Sequence, residues 1–381
     1  MTRKIRLGMV GGGADAFIGG VHRIASRIDG HFDLVAGALS STPEKAQASG
    51  RALGLDEDRI YDDFTEMAKR EARLKNGIEA VAIVTPNHVH YPAAKEFLKR
   101  GIHVICDKPL TSTLADAKKL VKAAEKSDAL FVLTHNYTGY PMVRQAREMV
   151  ANGDLGRLRV VQVEYPQDWL ADAAETKGVK QAGWRTDPER SGLGGAIGDI
   201  GTHAFHLADY VTGLTLDSLA ADLTSFVEGR RLDDNGHVML RYEGGAKGML
   251  WCSQVAVGNE NALKLRVYGE KGGLEWEQEH PNHLWFTPFG EPKRLITRNG
   301  AGAGDAANRV SRIPPGHPEG YLEGFANIYS EAATAIRAKT DGTDLPSEVH
   351  FPTVHDGLTG VAFVDACVRS SKRDGAWVKL S

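Results

Sequence analysis

An α/β protein of two parts is predicted: an N-terminal doubly wound parallel sheet, then a C-terminal α/β domain with a large, mostly antiparallel open sheet. Three features of the 381-residue sequence lead there. An apolar run stops at three glycines and feeds a helical stretch. Short β-rich runs then alternate with helical segments, the rhythm of parallel strands joined by crossover helices. From about residue 158 onward, short turns join one β-like run to the next, and turns that short connect antiparallel neighbours. The expected division is residues 1–137 and 138–381, with the last helix and strand packing back on the first domain.

The first strand, Ile5–Val10, ends at Gly11-Gly12-Gly13 and leads to a helix near Gly19–Arg27. A strand ending in G-x-G and feeding a helix lets backbone approach a pyrophosphate, because glycine has no side chain and a helix N-terminus favours an anion. A tight structural turn reads the same way locally. Gly11 and Gly13 fit the dinucleotide fingerprint, but Ala16 stands at the third glycine position, with Gly19 three residues later. Either alanine is an accepted variant, or the loop is longer and Gly19 takes the packing role. In the second case Phe17 and Ile18 lie against the pyrophosphate or the nicotinamide ribose, and Asp15 turns away from phosphate charge.

The alternation continues with Phe32–Leu39, a helix near Pro43–Leu53, Val81–Val84, a helix near Tyr91–Arg100, His103–Cys106, a helix near Leu114–Ser127 and Ala129–Leu133. This supplies the context that a dinucleotide site needs. The second strand ends at Ser40-Ser41-Thr42-Pro43-Glu44-Lys45, where an acid usually holds the ribose hydroxyls of NAD. Hydroxyls and a lysine stand there instead, so Ser40, Ser41 and Lys45 would tolerate a 2′-phosphate, and the cofactor is read as NAD or NADP. The competing reading makes Ser41 or Thr42 a simple helix cap.

The second part reads as Leu158–Glu164, Ser218–Val227, His237–Tyr242, Gly248–Val255, Leu263–Tyr268, Gly273–Trp276 and Leu284–Thr287, with turns at Asn235-Gly236 and Gly269–Gly273. Alternation in Val238, Leu240 and Tyr242 predicts one covered face, the other being available for assembly. Residues 299–320 have no apolar period and are expected as a lid, a partner-binding arm or disorder. Helices near Tyr321–Ala338 and Thr353–Ser370 and a strand Ala376–Leu380 complete the chain.

Composition narrows the partners. An apolar fraction of 42%, a charged fraction of 25% and a net charge of −3 describe a globular chain without the basic excess of a nucleic-acid binder. No signal peptide and no membrane span are expected, and Cys106, Cys252 and Cys367 look like reduced core cysteines, which suggests a cytoplasmic protein.

Polar residues stand at three places where chemistry is expected. Thr85-Pro86-Asn87-His88-Val89-His90 follows a strand, and in doubly wound sheets ligands lie beyond the carboxyl ends of strands. A plain turn with Asn87 as cap is the alternative. Cys106-Asp107-Lys108-Pro109 ends another strand, where Lys108 could stabilise charge on a substrate oxygen rather than sit in solvent. Asp199 and His203 stand four apart, so a helix starting near Asp199 puts them on one face, where aspartate can steady an imidazole that moves a proton. Asp199 as an N-cap and His203 or His206 as core histidines are the alternatives. Without a thiolate or an H-E-x-x-H pattern no metal is expected, and without a G-x-S-x-G elbow or a P-loop the corresponding hydrolase readings fall away.

Taken together, the glycine turn, Thr85-Pro86-Asn87-x-x-His90, Asp107-Lys108-Pro109 and Asp199-x-x-x-His203 resemble the glucose-fructose oxidoreductase/inositol dehydrogenase/MocA (Gfo/Idh/MocA) family of sugar dehydrogenases over essentially the whole chain. The resemblance implies a Rossmann domain, a C-terminal domain whose sheet builds homodimers or homotetramers, and hydride transfer between nicotinamide and a sugar or cyclitol carbon. It implies that Lys108 holds the reacting oxygen before a cis proline, that His203 is the acid/base and that Asp199 binds substrate. Gly11, Gly13, Ala16, Phe17, Ile18, Thr85, Pro86, Asn87, His90, Lys108 and Asn136 would bind cofactor, and Tyr137, Asp168, Trp169, Trp184 and Arg185 would line the sugar pocket. Two departures stand out: Asp107 replaces the family's usual glutamate, and the glycine loop carries extra residues. A redox-neutral, NAD-requiring glycosidase and a non-enzymatic cofactor-sensing regulator are the alternatives on this fold.

Overall fold

A computed structural model describes residues 3–14 and 16–380, with Lys180 described by its backbone alone. The chain divides into two compact units, one holding the chain up to Gly139 together with Tyr321–Leu358, the other Tyr140–Gly320 together with the chain from Thr359 on. The break therefore falls two residues later than expected, and the segment 321–358 returns to the first unit, whereas the chain from Thr359, expected to pack back there as the last helix and strand, stays with the second unit, where Val378 bridges Leu219.

In the first unit β1 (Ile5–Gly11), α1 (Phe17–Ile28), β2 (Phe32–Ala38), α2 (Pro43–Ala52), α3 (Phe64–Glu71), β3 (Ala80–Val84), α4 (Asn87–Leu98), β4 (His103–Cys106), α5 (Leu114–Glu125) and β5 (Phe131–Leu133) follow in order. The five strands are all parallel, in the order β2-β1-β3-β4-β5. Beyond β2 a single parallel bridge joins Gly37 to Ile60, and Tyr61 N donates to the Gly37 carbonyl at 2.8 Å. That bridge stands where a third strand would run, so the sheet is the six-stranded Rossmann order with one edge strand reduced to a residue. The order reverses between β1 and β3, and their carboxyl ends form the crevice where this class of sheet holds its ligand. Helix α3 had no clear sequence signal because the residues it buries are Met67, Ala68 and the charged Glu71; Asp63 caps it by accepting from Thr65 N and Glu66 N.

The second unit runs through α6 (Pro141–Ala151), β6 (Leu158–Pro166), two short helices α7 (Lys180–Arg185) and α8 (Pro188–Ser191), then α9 (Thr202–Thr212). Strands β7 (Leu216–Thr224), β8 (Asn235–Tyr242), β9 (Lys247–Ser253), β10 (Lys264–Gly269), β11 (Gly272–Glu277), β12 (His283–Pro288) and β13 (Arg294–Thr297) follow. With β6 they form an eight-stranded sheet ordered β13-β12-β11-β10-β6-β9-β8-β7, antiparallel except for the β6–β9 pair. Asn235-Gly236, expected as a turn, is the start of β8, because Gly236 fits against Leu223 and Cys252 while pairing with both flanking strands. Phe226 and Val227 leave β7 early because their N–H groups donate to the Asp234 carboxylate.

After the 4-residue helix α10 (Asp305–Asn308) come α11 (Tyr321–Asp341) and α12 (Val354–Ser371). Phe325, Ile328, Tyr329, Ala332 and Ile336 of α11 join Ile5, Leu7, Met9, Val21 and Phe32 in one core of the first unit. The expected last strand Ala376–Leu380 reduces to one bridge between Val378 and Leu219, since Trp377 turns out to stack under the Arg241 guanidinium. Segment 299–320 is ordered by contacts of its own rather than disordered. Its ends are tied by the buried pair Arg298–Glu319 at 2.9 Å, with Arg298 donating to the carbonyls of Ile313, Pro314 and His317, and Glu319 accepting from Arg312 N and Ile313 N.

The three cysteines are buried and unbridged, and burial pushes each thiol pKa well up, as inert core cysteines require. Among the described residues no helix is long and apolar enough to cross a membrane.

Candidate active site: two constellations

Beyond β1 the chain turns through Gly11 and Gly12 at φ 74° and 64°, a region only glycine enters without strain. A Cβ on Gly11 would sit 2.7 Å from Thr85 Cγ2, so the turns after β1 and β3 touch. A Cβ on Gly19 would lie 2.4 Å from the Gly12 oxygen, which settles the choice between Ala16 and Gly19: Gly19 is the close-packing glycine, and Ala16 is the N-cap residue of α1. Arg23 of α1 is buried and donates to the Gly12 carbonyl, bracing the turn from beneath; burial lowers its pKa. Ser49 Oγ accepts from Ala14 N at 3.3 Å and ties the turn to α2. Neither Arg23 nor Ser49 carries a sequence signal, because each acts through a backbone that only the fold brings near. Phe17 is 69% exposed at the first position of α1, whereas Ile18 packs toward the core. Asp15 lies outside the described residues.

At the end of β2, Ser40 Oγ accepts from Thr42 N at 3.1 Å, while Ser41 and Lys45 are exposed. Thr42 is the N-cap residue of α2 yet makes no side-chain cap, so the simple capping role expected of it is absent. At the end of β3 the helix starts directly at Asn87, with Pro86 in the cap position, so Asn87 is not the cap. Thr85 Oγ1 is buried with no hydrogen-bond partner, and so is Asn136 Nδ2 in the turn after β5. Thr85, whose turn touches Gly11, and Asn136, in the turn after β5, each hold a buried polar group that a polar ligand would complete, and with the positive-φ turn they fit a bound dinucleotide.

His90 has both ring nitrogens on backbone carbonyls. Its ring is fully buried, Nδ1 lying 2.8 Å from the Pro109 carbonyl and Nε2 2.9 Å from the Thr85 carbonyl. Lys108 is half-buried at the end of β4, and the Lys108–Pro109 bond is cis, as the resemblance implied. Asp107 Oδ1 accepts from Lys108 N at 2.8 Å and from Thr134 Oγ1 at 3.2 Å, so the shorter acid ties its own turn to the one after β5. The turn Asn136–Gly139 is wholly buried under α11, where Asn327 Nδ2 donates to the Gly139 carbonyl at 2.7 Å.

In the second unit Asp199 and His203 stand on one continuous helical segment. Ile197–Gly201 is a π-helical turn that runs into α9, so Asp199 is inside the helix and not its N-cap. Such single π-turns recur at functional sites. Asp199 Oδ2 accepts from Arg185 Nε at 3.1 Å and from Gln254 Nε2 at 2.9 Å. The Arg185 guanidinium lies over Trp184, 4.3 Å from the ring centre, and 5.8 Å from that of Trp169. The ring of His203 stands edge-on to Tyr165 at 6.3 Å. Tyr165 Oη and Gln167 Nε2 both donate to Asn261 Oδ1, and Gln167 Oε1 receives the Trp169 indole N–H. Asp168 instead caps a turn by accepting from Gly258 N at 3.0 Å.

The start of this segment is anchored by Asp233, whose carboxylate accepts from Gly195 N and Ile197 N, each at 2.7 Å. Burial nevertheless pushes the Asp233 carboxyl up to about 6. Gln254 and Asp233 were missed in the sequence, because an isolated glutamine and a loop aspartate have no spacing signature.

A glycine-cradled Rossmann crevice and a separate domain bearing an Asp/His pair define a two-domain dinucleotide-dependent oxidoreductase. Residues 5–135 match an oxidoreductase family with an NAD-binding Rossmann fold, and residues 143–275 match the GFO/IDH/MocA C-terminal domain. The chain belongs to the GFO/IDH/MocA family. It is 69% identical to an oxidoreductase of Sinorhizobium meliloti, covering 99% of this chain and 100% of that one with a TM-score of 0.91. An inositol dehydrogenase homolog of Azotobacter vinelandii, solved with NADH and myo-inositol, is 36% identical over 100% and 98% of the two chains, with a TM-score of 0.93. Levoglucosan dehydrogenase of Pseudarthrobacter phenanthrenivorans is 27% identical over 99% of this chain and 98% of its own.

Proposed function

We propose that the protein transfers a hydride between the nicotinamide of NAD and a secondary hydroxyl carbon of an uncharged cyclitol or sugar. The observation that carries this reading is the Asp199 carboxylate held by Arg185 and Gln254 on the helical segment that also bears His203. Pairing with Asp199 offsets the Arg185 charge, which favours an uncharged polyol over an acidic sugar. The flanking indoles of Trp169 and Trp184 suit the C–H faces of such a ring. The relative solved with myo-inositol and the levoglucosan dehydrogenase lie within the same substrate class.

Bound NAD supplies the hydride acceptor, with Gly11, Gly12, Gly13, Thr85 and Asn136 as its holding residues. Lys108 donates a hydrogen bond to the reacting oxygen and stabilises the charge that grows there. His203 takes the hydroxyl proton, and Asp199 steadies the ring and binds a neighbouring hydroxyl. Ser40, Ser41 and Lys45 present no acid to a 2′-phosphate, so NADP is accepted as well; rates with both cofactors measure the preference. Replacing Lys108 by alanine should lower turnover of myo-inositol by about a hundredfold or more while NADH affinity, followed by fluorescence titration, stays within a few-fold. Turnover that survives the substitution removes Lys108 from the mechanism.

A further inference from the structure

We propose that His90 is a positioning residue for Lys108, holding the Lys108–Pro109 turn to the Thr85 turn through one imidazole. The role rests on the function assigned to Lys108 above. The ring sits on α4 and is wholly buried, with one nitrogen on the Thr85 carbonyl and the other on the Pro109 carbonyl. The Thr85 contact is local, five residues back along the chain, and would suffice to fix the start of α4. The Pro109 contact spans nineteen residues and reaches the end of the neighbouring strand β4, one residue beyond Lys108. A ring placed only to stabilise α4 has no use for it.

The chemistry of the contact is specific to histidine. Carbonyl oxygens only accept, and a neutral imidazole has a single N–H, so the neutral ring donates to one of the two carbonyls while packing its other nitrogen against the second, and it donates to both only when it carries two protons. Burial outweighs the Asp107 carboxylate and the two carbonyls, which act in the opposite sense, so the pKa of the ring is lowered, and His88 on the same helix adds to that lowering. His22 of α1 interacts with the same ring. Asp107 itself is bonded to the backbone N–H of Lys108, so the carboxylate and the lysine share the turn that the α4 imidazole contacts at Pro109.

The test uses the full-length protein without cofactor. Competitive acetylation read by peptide mass spectrometry gives the reactivity of Lys108 relative to the exposed Lys75 and Lys122 across a pH series. In His90→Gln, which keeps one donor, and in His90→Phe, which keeps none, the relative reactivity of Lys108 should shift by up to about tenfold, more in the phenylalanine variant. NADH affinity should stay within a few-fold, and turnover of myo-inositol should fall through kcat with little change in KM. An unchanged Lys108 reactivity in a folded His90→Gln protein overturns the proposal even if His90→Phe does not fold. So does a loss of NADH affinity with Lys108 unaltered, since His90 would then serve the cofactor crevice. If the wild-type protein turns over no polyol, the functional reading fails, while the labelling ratio still decides the role of His90.

Discussion

Gly19 shows how much one residue can settle. Its missing side chain lets α1 approach the glycine turn, and a Cβ there would meet the oxygen, Cα and carbonyl carbon of Gly12 all within 2.7 Å. Backbone cannot yield as a flexible side chain can, so Gly19→Val should lower unfolding free energy by about 1–3 kcal/mol and weaken NADH binding. Gly20, one position on, meets nothing closer than Arg23 Nη2 at 3.9 Å, so Gly20→Ala should be neutral or stabilise α1 by roughly 0.5–1 kcal/mol. Urea unfolding of both variants checks the pair, and equal effects would contradict the packing account. The sequence named both candidate positions for the third glycine but could not choose, because the choice depends on which atom faces Gly12. Lys108, Asp199 and His203 were legible as strand-end and helix-face residues. Arg23, Asp233 and Gln254 were not, since their partners are backbone groups or side chains distant in sequence.

At the scale of an element, the helical segment carrying Asp199 and His203 is docked by a carboxylate with a raised pKa. Asp233 has a pKa near 6 in the folded protein against 3.8 for an unperturbed aspartate, so the folded state binds its proton more tightly than the unfolded chain does. Its contribution to stability is therefore full below pH 3.8 and is lost as pH rises through about 6, a difference of up to about 3 kcal/mol. His22, held neutral by burial with a pKa of about 4, contributes in the opposite sense, present above 6.5 and lost as pH falls through about 4. Comparison with Asp233→Asn isolates the first term: the stability difference between wild type and variant should shrink as pH rises from 4 to 7. A difference independent of pH would contradict the assignment. The π-turn at Ile197–Gly201 was beyond sequence reading, because Gly194-Gly195 and Gly198 mark a loop as readily as a helix. Segment 299–320 lacked an apolar period because its order comes from Arg298 and Glu319, two charges that look solvent-exposed until the fold buries them together.

For the whole molecule, the alternation of strands and helices made the parallel sheet legible, and the short turns made the antiparallel one legible. Helix α11 escaped assignment to the first unit because its apolar stripe does not say which core it will join. The eight-stranded sheet leaves Met239 and Met249, directly paired across β8 and β9, 56% and 46% exposed. An apolar pair on an open face suits a second copy of the chain, so Met239→Lys with Met249→Lys should reduce the mass measured by light scattering without loss of NADH binding. An unchanged mass would remove this face from any assembly. The central claim is that a polyol carbon gives its hydride to NAD on this protein, and isotope transfer tests it most directly. With NAD and myo-inositol deuterated at its carbinol carbons, the account predicts NADH bearing deuterium at C4 of the nicotinamide, formed in step with the ketone. Deuterium that never appears on the cofactor, in protein that binds NADH, would contradict it.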